Sequence, residues 1–285
     1  MTASGVVVVI PAKNVEGVIE TQLRALNAQT MLDFDVIVSD NGSSDGTRAV
    51  VEAWPATFAS LSCVDSGDRP GVAHARNRGI EHSAAPLILV CDSDDVVGPD
   101  WVQAHVTALA SADAVTGPLL LTECGERGFG EWATDGVPIA AGYLPYMPGC
   151  NMSFRRQAFE MLTGFDAGLW RGQEDVDFGW RLTKHGFSIA HAPGAIVDYE
   201  QRVGLRAKMR QQFKYGRAFA DLCARYRAEP IPVQSTKWRA RWWLSFIRRA
   251  LRHPIKSWRV TYPALAFQAG RILGSAQNRV RTPMW

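Results

Sequence analysis

The sequence lacks any apolar stretch long enough to cross a bilayer. It also opens without the basic segment and cleavage site of a secretory signal peptide. Neither internal repeats nor low-complexity tracts interrupt it. We therefore expect a protein that is neither exported nor threaded through a membrane by any signal visible in its sequence.

Paired cysteines are also missing. The five cysteines are scattered, odd in number and without a CxxC pair, which excludes a metal-binding thiol cluster of the usual spacing. Reduced thiols in a cytosolic protein are the simplest interpretation. They are Cys63, Cys91, Cys124, Cys150 and Cys223.

Acidic residues are scarce in the last third of the chain. Residues 201–285 contain two acids, Asp221 and Glu229, against 19 of the 31 Lys and Arg residues. The net charge of +3 therefore hides an acidic part, residues 1–200, followed by a strongly basic one. Such a split suggests a catalytic or binding body followed by a segment that faces something anionic.

Strands and helices alternate over the first 110 residues, which predicts βαβ units and a parallel sheet. The apolar run 6–10 is a typical buried strand, and we expect Pro11 to end it. The chain length of 285 residues suits one large α/β domain with an appendage. Further strands are predicted at 34–39, 61–64, 87–91, 114–119 and 150–154, and helices at 16–29, 47–53, 71–82, 100–111, 155–162, 172–182 and 204–227.

Residues 122–148 mix glycine and proline with aromatic residues, and we expect an irregular loop. The aromatic side chains could line a pocket for a ring-shaped substrate or pack the loop on itself. The sequence leaves these two interpretations open.

Three acids follow the buried strand 87–91, in the run Asp92-Ser93-Asp94-Asp95. Carboxylates this close repel one another unless a cation or hydrogen-bond donors lie among them. The carboxyl end of a parallel strand is also where α/β proteins bind ligands. A turn that caps the next helix is the alternative.

A second acidic cluster, Glu174, Asp175 and Asp177, opens the helix predicted at 172–182. Acids in a first turn complement the helix dipole, but three of them exceed what capping needs. One could act as a general base if this helix start faces the same cleft as Asp92 and Asp94.

Six short motifs follow one another along the chain, at residues 9–14, 38–47, 75–80, 92–95, 164–166 and 174–175. Taken in order, they resemble the family 2 glycosyltransferases of the GT-A type. The resemblance covers about residues 5–200 and implies a GT-A nucleotide-binding fold, an α/β fold with a mostly parallel central sheet flanked by helices. It divides the chain into a glycosyltransferase domain at 1–200, with a nucleotide part at about 1–100 and an acceptor part at about 110–200, and a basic helical C-terminal appendage at 201–285.

The resemblance implies a nucleotide-sugar donor and a divalent cation, Mg²⁺ or Mn²⁺. Asp92 is expected at the ribose and Asp94 at the metal, while Asp40 would accept hydrogen bonds from the base. Arg76 and Asn77 occupy donor-side positions, or simply tie their helix to neighbouring loops. The expected nucleotide-sugar contacts are Pro11, Ala12, Asn14, Asp40, Gly71, Arg76, Asp92, Ser93 and Asp94.

The resemblance also places the catalytic base at the Glu-Asp pair. Asp175 would deprotonate an acceptor hydroxyl and Glu174 would support it, with inversion at the anomeric carbon. Many members carry a histidine metal ligand near Asp198, so Asp198 is either the third ligand, beside Asp92 and Asp94, or a surface acid. The Gln-x-x-Arg-Trp motif of processive synthases is absent from 211–217, which favours transfer of a single sugar.

UDP is the nucleotide expected first, with dTDP and GDP open, and the acceptor is a hydroxyl of a glycan or a lipid-linked molecule. A non-catalytic nucleotide-binding scaffold that recruits partners through its basic tail is the alternative function. Tryptophans alternate with arginines over 237–252, so residues 204–252 are expected to contact a membrane surface or to pack on the core or in a homodimer. No nucleic-acid motif accompanies them. The expected location is cytoplasmic, with the inner face of the cell membrane as a peripheral site.

Overall fold

The computed structural model describes residues 4–233, 237, 241, 243–244, 248 and 254–283. It confirms an α/β fold. The chain divides into two compact units. The first contains Met1–Pro138, Pro145–Trp170 and Glu174–Gln201, and the second contains Ile139–Leu144, Arg171–Gln173 and Arg202–Trp285.

Strands and helices alternate as expected through the first part of the chain. The strands are β1 (Val6–Ala12), β2 (Asp35–Asp40), β3 (Ser60–Asp65), β4 (Leu87–Val90), β5 (Val96–Val97), β6 (Ala114–Thr116), β7 (Leu119–Glu123), β8 (Glu126–Trp132), β9 (Ile139–Ala140), β10 (Leu144–Pro145), β11 (Met152–Arg155), β12 (Ile189–His191) and β13 (Val197–Glu200). The helices are α1 (Ile19–Asn27), α2 (Thr47–Glu52), α3 (Val72–Glu81), α4 (Trp101–Leu109), α5 (Arg156–Met161), α6 (Glu174–Lys184), α7 (Leu205–Arg225) and α8 (Pro254–Asn278).

A seven-stranded sheet in the order β12-β6-β11-β4-β1-β2-β3 forms the centre of the first unit. Strands β1 to β4 pair in parallel, which confirms the βαβ prediction. Only β11 is reversed, because it runs antiparallel to both β4 and β6. The sheet is therefore mixed but mostly parallel.

Apolar side chains leave β1 towards both faces of this sheet. Val8 and Ile10 pack in one cluster with Leu23 of α1 and Trp101 of α4. Val7 and Val9 pack in another with side chains of α3 and α6. Because helices cover both faces, β1 is buried along its whole length and its sequence is an unbroken apolar run.

The prediction that Pro11 ends β1 is wrong, since the strand continues to Ala12. The carbonyl of Ala12 accepts the Asn41 N–H from the β2 side, so alternation along the strand points the Pro11 nitrogen towards β4. Pairing with β4 already stops at Val9. The missing N–H of proline therefore removes no ladder hydrogen bond.

The expected irregular loop at 122–148 is also corrected. Strands β7 and β8 form a hairpin, within a four-stranded sheet of order β5-β13-β7-β8. Its two turn residues, Cys124 and Gly125, have φ of 55° and 78°, and positive φ at both positions defines a type I′ turn. Cysteine is not a usual residue in this conformation, so the sequence hid the turn.

Helices α7 and α8 form the main part of the second unit. Glycines bring their backbones together, because a Cβ at Gly216 would collide with the carbonyl oxygen of Phe267 and one at Gly270 with that of Phe213. Helix α7 confirms the helix predicted at 204–227. The tryptophan-rich segment predicted at 237–252 lies largely outside the described residues. Within the part of the chain that the structure describes, no helix has the length and hydropathy needed to span a bilayer.

Candidate active site

The loops after β1 and β2 are tied together at the carboxyl edge of the sheet. Asn14, in the left-handed region at φ 54°, accepts the Ser44 N–H at 2.8 Å and donates its own N–H to the Ser43 hydroxyl at 2.9 Å. Pro11 and Ala12 are buried just before it. Pro11, Ala12 and Asn14, the three expected nucleotide contacts, therefore lie where hydrogen bonds already hold the two loops together.

Asp40 ends β2 directly beside Ala12 in register. One of its carboxylate oxygens accepts the Ser43 N–H at 2.9 Å, and the other lies 3.8 Å from Nε of Arg48. The carboxylate is thus held by its own turn, at the edge of the sheet where the base of the nucleotide is expected.

Asn41 supports the loop that leads into α3, a role that was not predicted. Its amide nitrogen donates to the carbonyls of Ser66 and Arg69, and its amide oxygen accepts the Gly71 N–H at 2.9 Å. Gly71 has φ 132°, which favours glycine. Helix α3 begins at the next residue, so this contact fixes where α3 starts.

Arg76 of α3 joins the two acidic clusters. Its side chain is 2% exposed. One terminal nitrogen donates to Glu174 at 2.8 Å, and the other donates to Asp92 at 2.9 Å and to the Gly149 carbonyl at 3.0 Å. The acids after β4 and those at the start of α6 therefore share one guanidinium, as a common cleft requires.

Gly149 completes this arrangement through its backbone. A Cβ there would lie 2.6 Å from a terminal nitrogen of Arg76, so any larger residue would push the guanidinium away from its partners. Its N–H donates to the Asp175 carboxylate at 3.0 Å. Gly149 thus contacts Arg76 on one side and the predicted base on the other.

Asn151 anchors the segment that contains Gly149 and Cys150. Its side chain is fully buried, accepts the Trp101 indole N–H at 2.9 Å and donates to the Ala195 carbonyl at 2.8 Å. Its own carbonyl accepts the Thr116 hydroxyl at 2.8 Å. These bonds anchor the two residues before it, Gly149 and Cys150, to the sheet.

The electrostatics around Arg76 favour proton binding by the nearby acids. Burial opposes the charge of Arg76, but Asp92 and Glu174 outweigh this and raise its pKa. Burial, and then the neighbouring Asp175, raise the pKa of Glu174 to about 7. Burial also raises the pKa of Asp175, although Arg76 acts against the shift.

Asp95 is the third acid of the first cluster and had been given no role. It is 2% exposed, and one carboxylate oxygen accepts the Glu200 N–H at 2.9 Å. The other oxygen is buried without a hydrogen-bond partner. Burial, and then Asp92 and Asp94, raise the pKa of Asp95 well above its usual value.

Ligand atoms of Asp92, Asp95 and Cys150 lie within 4.8 Å of one another. The two carboxylates suit a hard divalent cation such as Mg²⁺ or Mn²⁺. Burial raises the pKa of the Cys150 thiol well above its usual value, and sulfur is a softer ligand than these two ions prefer. The buried, unpartnered oxygen of Asp95 is the observation that fits a cation here.

The other predicted ligands are placed differently. Asp94 is partly exposed and lies outside that group of three, while Ser93 is buried. Both carboxylate oxygens of Asp198 on β13 accept from the exposed Arg127 of β8 at 2.8 Å. Metal ligation by Asp94 and Asp198 stays a prediction, and at Asp198 it competes with this ion pair.

Asn77 fits the structural alternative that the sequence left open. Its amide donates to the Phe165 carbonyl at 2.8 Å and accepts the Phe165 N–H at 2.9 Å. This bracket ties α3 to the Gly164–Asp166 motif.

Apart from Asp95, the sequence did not reveal two residues of the site, Gly149 and Cys150. The only signal for them was a glycine shortly before a strand, which is too common to interpret alone. Asp95 stood inside a recognised motif, but its burial depends on β13, a strand that was not predicted.

Comparison with solved structures defines the class of fold. A mannosyltransferase, PcManGT, from Pyrobaculum calidifontis, solved with GDP-Man and Mn²⁺, matches 94% of this chain and 86% of its own with a TM-score of 0.69 at 18% identity. TarS 1-349 of S. aureus, solved with UDP-GlcNAc, matches 96% of this chain and 92% of its own with a TM-score of 0.54 at 15% identity. The chain therefore has the GT-A glycosyltransferase fold.

The family follows from sequence models. The glycosyl transferase family 2 model matches residues 7–163, and the glycosyl transferase family group 2 model matches residues 87–269. This chain belongs to glycosyl transferase family 2. The resemblance noted in its motifs is confirmed.

Among curated relatives, the chain is 30% identical over 220 residues to validoxylamine A glucosyltransferase of Streptomyces hygroscopicus subsp. limoneus. The match covers 64% of this chain and 48% of the relative. The chain thus spans about half the length of that relative.

Proposed function

We propose that this chain transfers a single sugar from a nucleotide diphosphate sugar, in the first instance a UDP-sugar, to a hydroxyl acceptor with inversion. The activity resides in residues 1–200, with the nucleotide part at about 1–100 and the acceptor part at about 110–200. The observation that carries the proposal is Arg76, which donates to Asp92 and to Glu174 and so brings both acidic clusters to one place.

The donor lies across the carboxyl edge of β1, β2 and β4. Its nucleotide contacts Pro11, Ala12, Asn14 and Asp40, and Gly71 and Arg76 flank its diphosphate side. TarS was solved with UDP-GlcNAc and PcManGT with GDP-Man, so both nucleotides have a precedent in this fold.

Asp175 is the general base in this proposal. It is only partly exposed, and the Gly149 N–H holds one of its oxygens. Burial raises its pKa, which makes it a better proton acceptor. Glu174 is buried against Arg76 and therefore supports Asp175.

One base facing the donor carbon, with no nucleophile required, implies direct displacement and inversion. Arg76 and the Gly149 backbone keep Asp175 and Asp92 at fixed positions during the reaction. A bound Mg²⁺ or Mn²⁺, held by Asp92 with Asp94 or Asp95, would neutralise the charge of the departing nucleoside diphosphate.

The acceptor is the least specified part. The 211–217 region without Arg-Trp supports transfer of one sugar rather than polymer synthesis. A glycan or a lipid-linked hydroxyl both fit, and the expected contact of residues 204–252 with a membrane or a second copy belongs to this question. A scaffold without catalysis is the weaker alternative, because recruitment needs no paired acid clusters around a buried arginine.

A thermal-shift screen of nucleotide sugars with and without Mn²⁺ tests the donor and the metal. A ligand that binds only the folded chain raises the melting temperature by mass action. We expect stabilisation by one nucleotide sugar family, dependent on Mn²⁺ and absent in Asp94→Ala. Equal melting temperatures across all nucleotides, with and without Mn²⁺, would show that the chain binds no nucleotide sugar and would reject the proposal.

A further inference from the structure

Between Thr261 and Ala276, helix α8 buries polar side chains and exposes large apolar ones. Gln268 and Arg271 are buried, and Arg271 donates to Gln268 and to the Thr282 hydroxyl, each at 2.7 Å. Arg271 is also the one charged residue between Thr261 and Asn278. This is the reverse of the pattern of a helix on the surface of a water-soluble domain.

Between Tyr262 and Ala276, the side of α8 that faces away from α7 is apolar, and we call it the outer face. Exposure reaches 48% for Tyr262, 56% for Ile272 and 41% for Leu273. The spacing is helical and forms one continuous stripe on the side away from α7. The outer face contains Tyr262, Leu265, Ala269, Ile272, Leu273 and Ala276.

Helix α7 presents a basic row beside it. Arg206, Arg210 and Lys214 are all exposed, at a spacing of four residues. The two helices run parallel, since Phe213 meets Gly270 and Ala220 meets Gly274. At 3.6 residues per turn, the basic row lies to one side of the α7 stripe that contacts α8, and the outer face of α8 is turned towards that same side, so the two lie on neighbouring sides of the pair.

We propose that this surface, the basic row of α7 with the outer face of α8, docks on an anionic lipid bilayer. Tyrosine and aliphatic side chains would enter the interface while arginine and lysine meet lipid phosphates, as in other interfacial helices. The strong positive charge of residues 201–285 supplies the complementarity. The inference is independent of the donor, metal and base assigned above.

Two other occupants fit less well. A second copy of the chain would bring two basic rows together, and like charges oppose that contact. A nucleic acid would match the charge but would leave Ile272 and Leu273 exposed to water, because phosphates and sugars offer them no apolar partner. A bilayer satisfies both the charge and the apolar stripe.

Sedimentation with vesicles tests the proposal on the full chain. We expect binding to vesicles of mixed phosphatidylglycerol and phosphatidylcholine, release at high salt, and little binding to phosphatidylcholine alone. Ile272→Glu with Leu273→Glu should weaken binding more than about tenfold. Replacing Arg206, Arg210 and Lys214 together by glutamine should weaken it on the order of 100-fold, since each charge is worth about fivefold.

Met161→Glu is the matched control, because Met161 is 54% exposed but belongs to the first unit. It should bind vesicles like the unchanged protein. All variants should keep the same melting temperature and the same response to Mn²⁺ and nucleotide. Unchanged binding by the Ile272 and Leu273 variant, or no binding by the unchanged protein, would overturn the proposal. If light scattering shows that the unchanged protein is a dimer and the Ile272 and Leu273 variant is a monomer, the proposal is overturned in favour of a second copy.

Discussion

The guanidinium of Arg76 donates to Glu174 at 2.8 Å in an ion pair where both side chains are almost completely buried. The second terminal nitrogen of the same arginine reaches Asp92. A buried charge is tolerated only when it is paired and hydrogen-bonded. The pair therefore joins α3 to α6 and fixes the distance between the two acidic clusters.

Replacing Arg76 with methionine should unfold the chain more easily and abolish transfer. It leaves Glu174 and Asp92 without their shared cation, and breaking a buried pair costs about 3–5 kcal/mol. Denaturant unfolding measures this loss. Arg78→Met is the control on the same helix, because Arg78 is half exposed and its ion pair is with exposed Glu81, so its effect should stay near zero.

Glu174→Gln should change how stability depends on pH. The pKa of Glu174 is raised to about 7 in the folded chain from 4.5, so the folded state binds the proton more tightly. The stabilising contribution of this shift to the free energy of unfolding is thus complete below about pH 4.5 and is lost as the pH rises through 7.

The glutamine variant lacks this titration and can still accept from Arg76. In metal-free protein, its free energy of unfolding relative to the unchanged chain should therefore rise between pH 4.5 and 7. Unfolding curves across that range measure the difference. A constant difference would show that Glu174 is ionised throughout.

Asp95→Asn should separate metal binding from folding. The raised pKa of Asp95 means that its ionised form is unfavourable in the metal-free protein, so the variant should be as stable or more stable at neutral pH. It should also lose most of the rise in melting temperature caused by Mn²⁺. Asp113→Asn is the control, since Asp113 bonds Ser188 on the surface. An unchanged Mn²⁺ response in Asp95→Asn would exclude Asp95 as a ligand.

Gly270→Ala should destabilise the helix pair of the second unit. The added Cβ would collide with the Phe213 backbone, and overpacking of this kind costs about 1–3 kcal/mol. Ala269→Leu, one residue earlier on the exposed side, should change stability by less than about 0.5 kcal/mol. Thermal unfolding compares the two variants.

The central strands could be predicted because their burial on both faces leaves an unbroken apolar pattern, as at Val6–Ile10. The acidic clusters could be recognised because each contains three carboxylates within four residues, more than helix capping needs. The contacts of Gly149 could not be predicted, because they depend on how the chain before β11 approaches α3. Likewise, the hairpin at Cys124 and Gly125 depends on a backbone conformation that the residue types do not signal.

The outer face of α8 was hidden for a similar reason. The sequence from Thr261 to Asn278 is mostly apolar, and on its own this is compatible with a buried helix. Only the glycine contacts with α7 show which side is covered. The remaining side is then seen to be both apolar and exposed.

Sugar transfer by Asp94→Ala and Asp175→Asn, measured beside their free energies of unfolding, tests the central claim most directly. The claim is that both acidic clusters serve one reaction. Asp94→Ala should abolish transfer, and Asp175→Asn should reduce kcat by about 10²–10⁴-fold, while both variants stay folded and Asp175→Asn still binds the nucleotide sugar. Transfer at the unchanged rate by both folded variants would contradict the account.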